Sequence, residues 1–193
     1  MVRHVAGEPA LQSNISTIRA ERSAAAGDLA GSARSFLDAG HLDPYNAVAL
    51  FGEGVILALI ARDRELAGTA LEALRGTGSF AAVARLSARA AEAGTVALDG
   101  NPDAGRIGLL SAYAGLRDLG AARKQALVGL VMATVLGDGD AVVREAIDES
   151  RHLFEQMGAG LWLARLDVAL AGWAAAPASA RPASAAPASP TPA

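Results

Sequence analysis

The chain has 193 residues, of which 52% are hydrophobic, 4% aromatic and 19% charged, and its formal net charge is −3. It contains no cysteine, which excludes a disulfide framework, a thiol nucleophile and a cysteine-based metal site. A nucleic-acid footprint needs basic residues clustered on one face with aromatics between them; this balance offers none, and the arginines read as a solvated helix surface.

The length suffices for a sizeable core. Alanine makes up roughly a quarter of the chain; it loses no side-chain entropy in a helix and lets helix axes approach closely. Arginine far outnumbers lysine, Lys124 being the only one. The N-terminal MVRHVAGEPALQSN lacks the apolar core of a secretory leader. The longest apolar run, Val55 to Ala61, is about a third of a membrane span and is flanked by Glu53 and Arg62. It reads as a buried helix, and the expected compartment is the cytoplasm.

In chain order, residues 1–11 read as a frayed end. Asn14 caps a first expected helix, stopped by Gly27 after Ala26. Asp28 caps a second, to about Ala39, with Gly40 as its stop. Asp43-Pro44 opens a third, to about Arg62, with proline at the tolerated first turn. Asp63 opens a fourth, ending near Gly76-Thr77-Gly78. Ser79 caps a long fifth, to about Asp99. Asn101-Pro102 opens a sixth, ending at Gly120, and a seventh runs from about Ala121 to Leu136. The turn Gly137-Asp138-Gly139-Asp140 leads into an eighth, ending at Met157. Gly158-Ala159-Gly160 leads to a ninth, to about Ala175. On that helix Leu161, Leu163, Leu166 and Leu170 are expected to face the stack, with Trp162 covering the rim of the joint. Residues 177–193 are almost wholly Pro, Ala and Ser, which reads as a disordered tail. Residues 12–176 are then one helical repeat domain.

The helices recur. Ala30, Ala67, Ala104 and Ala141 are spaced 37 residues apart, each just after a turn and early in the second helix of a pair. A period in the mid-thirties suits helix–turn–helix repeats of the tetratricopeptide kind. One amphipathic hairpin cannot bury its apolar face alone, whereas stacked neighbours bury it between them. The expected fold is all-α: a right-handed helix-hairpin solenoid of about four pairs, closed by a C-terminal capping helix.

Four stretches carry a family resemblance: GLRDLG at 115–120, ALVGLVMATVLG at 126–137, AIDESRHLFEQMGA at 146–159 and WLARL at 162–166. Together they resemble the last tetratricopeptide-like repeats of large bacterial signalling ATPases. In that family the array follows a nucleotide-binding ATPase module and is coupled to an adenylate/guanylate-cyclase domain or a LuxR-type DNA-binding domain. The resemblance is good over about residues 100–173 and holds only as a repeat pattern over 12–99. Its motifs are helix-packing signatures without a catalytic group. The chain has no G-x-x-x-x-G-K-[ST] phosphate loop, no cyclase-like segment and no basic helix-turn-helix. The resemblance therefore implies the regulatory array alone, free-standing or cut from a larger protein.

Few side chains suggest chemistry. Asp138, Asp140 and Glu149 stand at positions 1, 3 and 12 of a calcium-loop spacing, but Val142 and Val143 occupy positions 5 and 6. An oxygen ligand and a glycine are required there, so the stretch reads as a turn and N-cap. His4, His41 and His152 form no i, i+4 pair, and no metal or cofactor is expected. There is no G-x-S-x-G elbow, and Ser32, Ser35, Ser87 and Ser111 lie inside helical segments; an enzyme is not expected. The sequon Asn14-Ile15-Ser16 reads as a helix start. Glu53, between Gly52 and Gly54, interrupts an apolar helix. It is open to an arginine partner across the groove, to a cationic ligand, or to an exposed or salt-bridged position on a helix edge. Helix phase adds Tyr45, Arg106 and Tyr113 as candidate groove-lining residues. The functional expectation is a non-catalytic scaffold, a protein-interaction or sensory-regulatory module of a bacterial signalling system. It would take a protein or peptide partner in a concave groove, without nucleic acid or membrane. Small-molecule sensing and homo-oligomerisation are the alternatives.

Overall fold

The computed structural model describes residues 9–175, and among them every regular element is a helix. In chain order these are α1 Pro9–Ala26, α2 Leu29–Leu42, α3 Ala47–Ile60, α4 Arg64–Gly76, α5 Ala82–Leu98, α6 Pro102–Asp118, α7 Ala122–Val135, α8 Ala141–Gln156 and α9 Gly160–Ala175. None is long and apolar enough to cross a membrane. The expected tail lies outside the described residues, as does the expected frayed end up to residue 8.

The even-numbered helices share one way of starting. Asp28, Asp63, Asn101 and Asp140 are their N-caps, and each side chain accepts the backbone N–H three residues on: Gly31, Leu66, Ala104 and Val143. The caps stand 35, 38 and 39 residues apart. The 37-residue alanine register thus marks the right helices without being their structural period. Ala67 is buried, whereas Ala104 and Ala141 are exposed. Three of the caps follow directly on a residue in the left-handed region: Gly27, Arg62 and Gly100.

Several expected boundaries shift. α1 begins at Pro9, so Asn14 is an exposed position inside the helix and not its cap. α2 runs through Gly40 to Leu42. Gly40 is there for packing: a Cβ at that position would run into the Phe51 ring of α3. Asp43 does not open α3. Its carboxylate accepts from the backbone of Tyr45 and Asn46 and closes a local turn, so the helix starts only at Ala47. Ser79 likewise accepts only from Ala81 N, at 3.4 Å, and α5 begins at Ala82.

The core centres on α3 and α7. Every residue from Phe51 to Ile60 and from Gln125 to Val135 is buried. A helix that is apolar all round belongs in an interior, and the packing explains the demand. α3 touches α2, α4, α5 and α7, and α7 touches α3, α5, α6, α8 and α9. α4 and α8 each bury a single face, through Ala67, Ala70, Leu71 and Leu74 and through Val143, Ala146, Ile147, Ser150 and Phe154. α9 lies against α7 and α8. Its fully buried residue is Leu166, flanked on the packed face by Trp162, Leu163, Ala169 and Leu170. Leu161, expected on that face, points outward at 37% exposure, and Trp162 takes its place.

Candidate functional site

Glu53 lies in the middle of α3, buried, opposite the first turn of α7. Arg123 clasps its carboxylate through Nη1 on Oε1 at 2.5 Å and Nη2 on Oε2 at 3.1 Å, and Lys124 Nζ donates to Oε1 at 2.6 Å. Burial by itself pushes this carboxyl upward. The Lys124 charge, with the hydrogen bond and charge of Arg123, outweighs it and holds Glu53 below the usual carboxylate range. Glu53 is therefore ionised and ties α3 to α7. Of the readings open from sequence, the arginine partner is the one that forms, joined by the chain's single lysine.

The other three candidates lie elsewhere. Tyr45 sits in the turn before α3 and is 99% exposed. Tyr113 is buried on α6, its hydroxyl 3.0 Å from both the Ala146 carbonyl and Glu149 Oε2 and 3.3 Å from Ser150 Oγ. Burial is the main cause that pushes its ionisation up to about 12. Arg106, also on α6, reaches Asp140 at 3.6 Å. The four residues occupy three places and line no common groove. α3 and α7 pack directly, so the space between the first helices of the pairs is core at that point. Arg106 and Tyr113 belong to a second helix and face α8. The acidic turn before α8 is used structurally: Asp140 accepts from Val142 and Val143 N, and Arg144 donates to the Asp138 carbonyl. No group of three or more His, Asp or Glu able to hold a metal ion occurs among the described residues.

A concave site does exist, at a place the sequence reading did not single out. A cavity of about 440 Å³ opens where the start of α2, the ends of α3 and α7, and α9 meet. Leu29, Ile60 and Ala169 give it apolar wall, Trp173 an indole, and Arg62 and Arg165 two guanidinium groups. α7 stops at Val135, which leaves the Thr134 carbonyl without a helical partner. Arg62 Nη1 and Trp173 Nε1 both donate to it, each at 3.1 Å. The Arg62 guanidinium lies 5.6 Å from the centre of the Trp173 ring. Arg165 reaches over the turn after α1: a Cβ on Gly27, which has φ +93°, would stand 2.8 Å from its Nη2. The sequence carried one signal for this site. In the pairs that share the left-handed-residue-then-cap turn, Gly27-Asp28 and Gly100-Asn101 use glycine, and Arg62-Asp63 does not.

No family model matches the chain, and neither a curated protein nor a solved structure does.

Proposed function

We propose that the chain is a non-catalytic, tetratricopeptide-like scaffold that serves protein interaction in a bacterial regulatory system, built as a right-handed stack of four helix pairs with α9 as cap. The observation that supports this reading is the outer face of α1. Leu11, Ile15 and Ile18, at helical spacing, are 57%, 42% and 55% exposed. The opposite face, Ser13, Ala20 and Ala24, is buried, and Ser13 Oγ donates to the Ala39 carbonyl at 3.1 Å. An apolar stripe on a terminal helix is what an amphipathic partner helix, stacked as the next layer, would cover. α3 and α7 pack directly on each other, which favours this end over a concave groove for the proposed interaction surface.

Quantitative cross-linking in the host cell, comparing the native chain with Ile15→Glu, tests the reading. Neighbours that cross-link through α1 and are lost in the variant, with an unchanged melting temperature, support it. An identical cross-link profile for both chains counts against it. A second reading, small-molecule sensing, is favoured by the cavity between α3, α7 and α9.

A further inference from the structure

We infer that this cavity is a binding site for a small organic carboxylate with an apolar body. The inference deepens the sensing reading and does not depend on the α1 face.

Three observations converge on it. The first is charge. Neither Arg62 nor Arg165 has an ion-pair partner among the described residues. Two cations thus share one concavity, and among the described residues no carboxylate lies within ion-pair distance of either. The second is the backbone beneath Arg62. It is the one non-glycine residue with positive φ among those described, at 57°. Glycine occupies this conformation elsewhere in the chain at Gly27, Gly78, Gly100, Gly120, Gly137 and Gly158. A side chain there carries a steric cost that glycine avoids. The third is the rest of the wall. Leu29 and Ile60 are nearly covered, and Trp173 is fixed by its bond to the Thr134 carbonyl. The indole is therefore held as a flat apolar surface.

The chemistry selects the ligand. A guanidinium is a planar fork that matches a carboxylate, and both forks retain unused donors. Arg62 uses only Nη1, on Thr134. The same forks would also take up a phosphate dianion. The apolar wall offers it nothing, whereas an aliphatic or aromatic body would lie along Trp173, Ile60 and Ala169. The volume falls in the range in which proteins hold small organic ligands.

Isothermal titration calorimetry on the full chain decides the matter, with octanoate and 3-phenylpropanoate as probes and octanamide and inorganic phosphate as controls. Expected is 1:1 binding of at least one carboxylate, with octanamide and phosphate each weaker by about tenfold or more. Arg165→Gln should weaken the carboxylate by about tenfold. Arg62→Gly is the second variant, because glycine relaxes that backbone position and keeps the fold; it should weaken binding similarly. Absence of binding by both carboxylates at millimolar concentration overturns the proposal. So does equal affinity for octanamide, or unchanged affinity in both variants. Failure of α1 to engage a partner would leave these outcomes unaffected, and a cavity that takes no carboxylate would leave the α1 reading intact.

Discussion

A carboxylate in the middle of an apolar helix loses hydration that only nearby cations and hydrogen bonds offset. Glu53 has three such donors, from two adjacent residues of α7. Replacing it by glutamine keeps the shape and leaves Arg123 and Lys124 without their counter-charge. The expected loss is about 1–3 kcal/mol, toward the low end because the Arg123 side chain is half-exposed and screened by solvent. Urea denaturation measures it. The pH dependence follows from the lowered ionisation of Glu53. A carboxyl depressed in the folded state contributes stability above its unfolded value and loses it as pH falls through the folded one. The gap between the native chain and Glu53→Gln should be full near neutrality and close in acid, below the ordinary carboxylate range. A gap that stays constant or widens on acidification would contradict this account. The sequence placed Glu53 at an interesting point because it broke an apolar run. The identity of its partners was illegible, because Arg123 and Lys124 come from a helix some 70 residues away in the chain.

At the scale of the helix, the legible parts were those governed by local chemistry. Asp28, Asp63, Asn101 and Asp140 stand where a turn ends and an apolar period begins, and each caps its helix. The misread starts were cases where a neighbour decided. Asp43 bonds within its own turn, and Gly40 answers to the Phe51 ring of the next helix. Asn14 offers a direct test, because the two assignments differ in sign. As an N-cap, its replacement by alanine would lose about 1 kcal/mol. As an exposed position inside α1, Asn14→Ala should leave stability unchanged or raise it by up to about 0.5 kcal/mol. Asp140→Ala is the matched control. Its carboxylate holds two backbone N–H groups at the head of α8 and stands 3.6 Å from Arg106, so it should lose about 1–2 kcal/mol. Thermal melts of the two variants beside the native chain settle the assignment.

For the whole molecule, a linear array and a closed one differ in how stability is shared. In a strictly nearest-neighbour stack each hairpin leans only on the next, and the ends fray by degrees. Here α3 and α7, four elements apart in sequence, pack on each other and are tied by Glu53, Arg123 and Lys124. That both helices are buried could be read from VILALI and ALVGLVMATV, which have no polar face. That they meet could not, because the meeting depends on how far each pair turns relative to the last, and no local residue pattern records that rotation. The contact has a measurable consequence in native-state hydrogen exchange. Opening α3 also uncovers α7, so amides of both helices should exchange only through global unfolding, with the same free energy. Amides of α1, which packs chiefly on α2, and of α9 should exchange through smaller openings at lower free energy. An array without the cross-contact would instead place α3 with the fraying N-terminal end, well below α7. Equal protection in α3 and α7 with weaker α1 and α9 therefore distinguishes a closed helical core from an open stack. Glu53→Gln should lower the protection of both central helices together.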